Sequence, residues 1–315
     1  RDERTGAHMA DGYARSTGTP GVISTSSGPG AANSMHAMGE AYHSGSPILQ
    51  ITTNIEQNLL NQGSGALHEP KEQLQMFNSV TGWNSSVDSV ELIPQKIDQA
   101  FNTFKTKIPR PAVLEIPTNL LGDVCDVSIT TKAETESEII DTNSIEKIAD
   151  GLIESKRPLI WVGEEIGFTG GTDQIIELAE MLGVPVVTGS GAKGCFPEDH
   201  PLCLGQALGN RIWGTNPIYE FIPTCDLLLA IGSSLDYRST RAVDLRMPAK
   251  LIQITLKAES IGKNFPVDHY FVGNGGVVVE QLVTLLKNRV ASKGDAFKRE
   301  VEQMKTTIYE DLKLQ

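Results

Sequence analysis

Cysteine is scarce in these 315 residues, and the four present, Cys125, Cys195, Cys203 and Cys225, form no C-x-x-C pair. No His/Cys set beside Cys195 and Cys203 completes a zinc site. Free thiols in a reducing, cytoplasmic setting are therefore expected rather than a disulfide framework. Positive charge is also short, with 27 Lys and Arg against 39 Asp and Glu and a net charge of −12. With no basic run to track phosphates, this balance argues against a nucleic-acid or anionic-membrane surface. Long apolar runs are missing too. A stretch such as Leu227 to Ile231 is far short of a membrane span. No signal peptide is legible, and the chain opens Arg-Asp-Glu-Arg without an initiator Met.

What remains is an ordinary globular composition, 39% hydrophobic and 21% charged, with length enough for two domains. Helical and β-branched stretches alternate. Gly6 to Ser16 reads as a helix stopped by Gly18-Thr19-Pro20, and Gly21 to Ser26 as a short buried strand. Ala31 to His43 and Leu92 to Lys105 read as helices, Pro47 to Thr52 and Ala112 to Pro117 as strands. Ser128 to Thr142 turns to Thr, Ser, Glu and Lys, the composition of a solvated linker. A second alternating set follows, with strands near residues 157–163, 184–188, 227–231, 251–254 and 270–272, and helices near 174–182 and 277–287. The expected fold class is α/β, with two doubly wound parallel-sheet domains at 1–127 and 145–290. A linker at 128–144 separates them, and an exposed helical tail spans 291–315.

In an open parallel sheet, ligands bind beyond the carboxyl ends of the strands. Ser26-Ser27-Gly28-Pro29-Gly30 stands there, between a strand and a helix whose first N–H groups lack partners. Glycine lets the backbone approach a ligand closely and proline stiffens the turn. A plain structural turn has the same composition, so both readings stay open. A carboxylate at Glu3, just before the first helix, is equally open between a ligand contact and an acid favoured by the helix dipole. Gly189-Ser190-Gly191-Ala192-Lys193-Gly194 matches G-x-G-x-x-G, but Pro197 follows three residues on and disfavours the helix a dinucleotide fingerprint requires.

Two segments carry a resemblance. Asp2-Glu3-Arg4-Thr5-Gly6-Ala7-His8-Met9-Ala10-Asp11-Gly12-Tyr13-Ala14-Arg15, followed by Ser26-Ser27-Gly28-Pro29-Gly30-Ala31-Ala32-Asn33, resembles the aminopyrimidine-binding domain of thiamine diphosphate enzymes. The group is that of acetolactate synthase, pyruvate oxidase and benzoylformate decarboxylase. Asp2 departs from the family's histidine. The resemblance implies that Glu3 activates the cofactor by hydrogen bonding to the aminopyrimidine N1′. Burial would raise its pKa. It further implies that Ser27, Gly28, Pro29, Gly30 and Asn33 shape the pyrimidine pocket. Leu67-His68-Glu69 stands where acetolactate synthases have Phe-Gln-Glu. His68 is thus a candidate proton donor or acceptor facing the substrate, or a loop histidine bonded to backbone. His8, His36 and His43 on helices, and His200 in a turn, read as structural.

The second domain resembles the family's middle domain through Arg157-Pro158, Gly183-Val184-Pro185-Val186 and Phe196-Pro197 with Asp199-His200-Pro201. Some relatives bind flavin dinucleotide there and others bind nothing. Arg238 lies in a region similar to one that contacts flavin, whereas Thr255-Leu256-Lys257-Ala258 replaces the family's Asp-Ile-Asp-Pro. FAD therefore stands as an open expectation. The Gly-Asp-Gly signature of the diphosphate domain, which binds Mg2+, does not occur in the chain. The resemblance thus implies a fragment, lacking that domain and the strand expected before Glu3, that alone binds the cofactor weakly and turns over nothing. The implied whole is a homo-oligomeric carboligase or decarboxylase (dimer or tetramer) acting on a 2-oxo acid. The alternatives are a non-catalytic binding or regulatory module and a flavin- or nicotinamide-binding oxidoreductase.

Overall fold

A computed structural model describes residues 2–106, 108–127, 141–207, 217–240, 245–289 and 296–313 of the protein, without the side chains of 106, 238, 239, 296 and 308–313. Two compact units emerge, Arg1–Glu136 and Ser137–Gln315.

In the first unit, helix α1 (Glu3–Thr17) starts where Asp2 accepts a hydrogen bond from the Arg4 N–H at 3.0 Å. It stops at Gly18, whose N–H closes back on the Ala14 carbonyl. Strand β1 (Gly21–Thr25), α2 (Pro29–Ser44), β2 (Ile48–Asn54), α3 (Gln73–Phe77), β3 (Trp83–Ser86), α4 (Ile93–Thr106) and β4 (Ala112–Pro117) follow. The sheet is parallel, in the order β1-β2-β4-β3. One face packs Ala10, Ala31, Met38, Ala41 and Phe77 on Ile48 and Val113; the other packs Phe104 and Ala100 on Leu49, Leu114 and Ile116. Strand β1 lies at the sheet edge and leaves Val22 55% exposed, so it is not the buried strand its β-branched run suggests. Strand β3 was not legible because an edge strand pairs on one side only and tolerates Asn84-Ser85-Ser86.

On the α2 side, the first sheet changes character along its length. Its amino end presents Ile48 and Val113, and its carboxyl end presents buried Gln50, Thr52 and Glu115. Buried polar groups are costly unless paired. Their concentration beyond Ile48 marks where this sheet is built to meet something other than hydrocarbon.

The second unit begins with α5 (Thr142–Glu154), capped by Asp141. This helix opens inside the stretch expected to be linker; residues 128–140 of that linker lie outside the described residues. Then come β5 (Pro158–Val162), α6 (Ile166–Thr169), α7 (Thr172–Leu182), β6 (Val186–Thr188), β7 (Cys203–Gln206), α8 (Pro217–Phe221) and β8 (Leu227–Ile231). The unit closes with α9 (Tyr237–Thr240), β9 (Lys250–Thr255), β10 (His269–Val272), α10 (Gly275–Leu286) and α11 (Ala296–Lys313). Its parallel sheet runs β10-β9-β8-β5-β6-β7, the doubly wound order with its switch point between β5 and β8. His200 is architectural: its Nδ1 accepts from the Leu202 N–H, and its ring meets Phe196 edge-on.

Helix α11 corrects the expectation of an exposed tail. Val301 is fully buried, with Phe297 and Met304 packed on the same cluster, an apolar stripe at helical spacing. Arg157 pairs with Glu300 at 2.8 Å and stacks over Phe297. Placing a carboxylate at Val301 (V301D) should destabilise the second unit by roughly 2–4 kcal/mol, from lost burial and an unpaired charge. Urea unfolding and limited proteolysis of α11 check this; an unchanged midpoint and cleavage pattern would refute the seating of the helix.

Candidate active site

The turn that follows β1 is held from several directions. Gly28 adopts φ 57° and ψ −111°, a conformation that side chains rarely allow, at the start of α2. Pro29 takes the first helical position, where its missing N–H costs nothing. The Gly28 carbonyl accepts from the Ala32 N–H at 2.9 Å, and its own N–H donates to Gln73 Oε1 at 2.7 Å. A Cβ at Gly28 would come within 2.6 Å of the His68 carbonyl oxygen. The loop carrying His68 is thus seated directly on the turn.

On the other side of the turn, a Cβ at Gly30 would meet Ser26 Oγ at 2.3 Å and Glu3 Oε1 at 3.5 Å. Asn33, one turn further along α2, donates from Nδ2 to Glu3 Oε2 at 2.9 Å and to Asp2 Oδ1 at 3.1 Å. Glu3, Gly28, Pro29, Gly30, Asn33 and the main chain of His68 therefore converge around one turn, and Ser27 lies buried within it. The polar ladder below continues this arrangement. Ser34 Oγ donates to Gln50 Oε1 at 2.7 Å, Gln50 Nε2 to Thr25 Oγ1 at 3.1 Å, and Thr52 Oγ1 to the Ser26 carbonyl at 3.2 Å.

The charge state of Glu3 differs from expectation. The residue is half-exposed, and the hydrogen bond from Asn33, followed by one from its own backbone, holds its carboxyl below the ordinary range. Desolvation acts in the opposite direction and is outweighed. In this chain Glu3 is an ionised acceptor, suited to a charge-assisted hydrogen bond from a protonated ring nitrogen.

His68 sits at φ 62° in an exposed loop, its carbonyl and Cβ meeting the turn. Glu69 ties that loop together, accepting from the Ser64, Gly65 and Ala66 N–H groups and from Ser64 Oγ. Desolvation opposes its ionisation, but the bonds from Ser64, Gly65 and Ala66 prevail and lower its pKa. His8 and His36, on the exposed faces of α1 and α2, contact each other at 3.2 Å, Nε2 to Nδ1.

The comparisons with known proteins agree with this geometry. Residues 1–77 match the family described as thiamine pyrophosphate enzyme, N-terminal TPP binding domain, and residues 145–282 match the central domain of the same enzymes. The chain belongs to the thiamine diphosphate enzyme family. It is 33% identical over 294 residues to a probable acetolactate synthase large subunit of Methanocaldococcus jannaschii, covering 91% of this chain and 49% of that protein. It is 30% identical over 293 residues to an acetolactate synthase of Mycobacterium bovis, covering 91% of this chain and 46% of the relative. A probable 2-ketoarginine decarboxylase of Pseudomonas aeruginosa is 28% identical over 301 residues, 95% of this chain and 53% of that protein. The chain thus spans about half the length of the curated relatives it matches.

The first unit fits the pyrimidine part of thiamine diphosphate: an ionised carboxylate, a carboxamide and a glycine turn with close backbone approach stand together. The second unit does not fit a dinucleotide at its switch point. There the Gly163 N–H donates to the Ile231 carbonyl at 2.8 Å and the Glu165 N–H to the Gly232 carbonyl at 3.1 Å. A Cβ on Gly163 would lie 2.1 Å from the Gly232 oxygen, so the turns after β5 and β8 close on each other. Glu164 and Glu165 stand where a diphosphate would need donors. Glu165, 2% exposed, accepts from Thr255 Oγ1 and the Leu256 N–H, and desolvation raises its pKa. The flavin expectation gains no support here. Arg238 belongs to α9, and its side chain lies outside the described residues. The G-x-G-x-x-G string forms a short 3-10 turn at Ser190–Ala192 and opens no helix.

Because the Glu69 pKa is lowered in the folded state from an ordinary value of 4.5, its contribution to loop order is present above that value. It is lost as pH falls through the lower folded pKa. Amide protection at Gly65 and Ala66 should drop across that interval, and Glu69→Gln should remove the dependence; protection flat with pH would contradict the clamp. Excess FAD should leave the melting temperature of the chain unchanged, and an upward shift would reopen the flavin site.

Proposed function

We propose that this chain forms the cofactor-activating and central parts of a thiamine diphosphate-dependent enzyme acting on a 2-oxo acid, by decarboxylation and acetolactate synthase-like carboligation. The observation that carries this is the Asn33-held carboxylate of Glu3 beside the Gly28–Gly30 turn. The names of the relatives, acetolactate synthases and a 2-oxo acid decarboxylase, point to the same chemistry. They do not favour a non-catalytic module, and the closed crevice of the second unit does not favour a flavin or nicotinamide oxidoreductase.

When bound, thiamine diphosphate would supply a cationic ring whose acidic carbon can act as nucleophile and whose ring nitrogen can take up the electron pair released when a 2-oxo acid loses carbon dioxide. Glu3 accepts the hydrogen bond of the protonated pyrimidine nitrogen, and its ionised state at neutral pH strengthens that bond. Asn33 fixes the direction of the Glu3 carboxylate. Gly28, Pro29 and Gly30 hold the ring by backbone contact, with Ser27 buried in the same turn. His68 is assigned the substrate side, where its exposed imidazole is a candidate proton donor or acceptor.

Among the described residues no group of three or more His, Cys, Asp and Glu could hold a metal ion. As the family resemblance implies, we assign Mg2+ and the diphosphate to the half of the relatives' length that this chain does not span. A homodimer or homotetramer is proposed for the working enzyme on the family resemblance alone. The four free cysteines suit a cytoplasmic setting, and among the described residues no helix is long and apolar enough to cross a membrane.

In the full-length protein, Glu3→Gln should lower kcat about 10²- to 10⁴-fold with the circular dichroism spectrum unchanged. Turnover retained near wild type would remove Glu3 from its role.

A further inference from the structure

The buried polar ladder of the first unit contains two residues that the proposed cofactor contacts leave unused. Glu115 lies in β4, 4% exposed, opposite Thr52 of β2. Among the described residues no ion pair includes it. Gln73, 2% exposed, opens α3 directly after the loop of His68 and Glu69. Its Nε2 donates to Glu115 Oε2 at 2.8 Å and to the Thr53 carbonyl at 2.9 Å, while its Oε1 accepts from the Gly28 N–H at 2.7 Å.

Those three partners admit one orientation of the amide. A backbone N–H requires the oxygen, and a carbonyl and a carboxylate require the NH2 group. Strands β2 and β4 are hydrogen-bonded neighbours although β3 lies between them in sequence, so the amide ties this parallel pair to the turn after β1. Gly28 is held there from three sides: by Gln73 at its N–H, by Ala32 at its carbonyl, and by the His68 main chain over its α-carbon.

We infer that Gln73 and Glu115 are positioning residues, a buried strut from β4 to the turn that sets the height of Gly28–Gly30 and so the shape of the cofactor pocket. The pocket part of this inference rests on the thiamine diphosphate reading. Glu115 acts through Gln73: its carboxylate fixes the NH2 group and thereby aims the opposite oxygen at Gly28. A neutral acceptor of the same shape serves that purpose equally, whereas an apolar side chain does not. Because Gln73 also ends the His68 loop, the strut sets the pocket and the loop over it together.

The test uses the full-length protein with thiamine diphosphate and Mg2+, and amide exchange at Gly28 as a readout independent of the cofactor. Gln73→Met removes the amide at similar volume. It should raise the activation constant for thiamine diphosphate about tenfold or more, change kcat at saturating cofactor less than about threefold, and speed exchange at Gly28. Glu115→Leu should follow it, while Glu115→Gln, which still offers Gln73 an acceptor, should stay within about twofold of wild type. Melting curves confirm that each variant is folded at the assay temperature; if Gln73→Met is not, the Glu115 pair decides. A lowered melting temperature with cofactor activation and Gly28 exchange unchanged would overturn the strut, as would Glu115→Gln behaving like Glu115→Leu. Should the wild type show no response to thiamine diphosphate, the cofactor reading fails. Gly28 exchange in the same variants then still decides whether the strut holds the turn.

Discussion

The Gly28 N–H is the constraint around which the first unit's site is organised. A glycine at φ 57° has no conformational preference that would keep it there, so something else must. Helix α2 takes its carbonyl, the buried Gln73 amide takes its N–H, and the His68 main chain fills the space a side chain would occupy. Each partner comes from a different part of the chain, which makes the turn a product of tertiary packing. Removing Cβ at two positions, 28 and 30, then lets the His68 loop approach at one glycine and the Ser26 hydroxyl at the other.

Two buried-or-bonded acids show how environment sets charge in this protein. Glu3 is half-exposed and receives the Asn33 amide, so its ionised form is favoured. Glu165 is nearly inaccessible, and desolvation outweighs the two donors it has gathered, so its ionised form is disfavoured. The first serves as an acceptor beside the pocket. The second closes the switch point of the other unit, binding the end of β9 to the turn after β5. Two parallel-sheet units thus differ in what stands beside their central strands: an amide that props a ligand turn in one, a carboxyl that ties β9 to the turn after β5 in the other.

Much of the fold was legible from periodicity. The helices at Glu3–Thr17, Pro29–Ser44 and Thr172–Leu182 and the strands at Ala112–Pro117 and Leu227–Ile231 lie within a few residues of their expected ranges. The misses have physical causes. Trp83–Ser86 is a polar edge strand, and Thr142–Glu154 begins at an Asp cap inside a stretch read by composition as linker. Phe297, Val301 and Met304 did carry an apolar stripe, outweighed by the charge around it. At the site, the family resemblance of two motifs brought out Glu3, the glycine turn and Asn33. Gln73 and Glu115 were missed because a lone Gln in a loop and a lone Glu in a strand have no spacing signature. Only the buried polar end of the sheet, an acid within Val113-Leu114-Glu115-Ile116, offered a hint.

Sequence by itself determined the alternation of elements, the two α/β units and the family-bearing motifs, because hydrophobic period and turn chemistry are local properties of the chain. Tertiary structure alone decided that Glu3 is ionised rather than proton-retaining, that His68 presents its backbone to the turn, and that the second unit's switch point is shut. Those outcomes depend on solvent access and on partners 30 to 90 residues away in sequence, as Asn33 is from Glu3 and Thr255 from Glu165. Desolvation and hydrogen bonding act through space, and the order of residues along the chain does not specify them until the chain has folded.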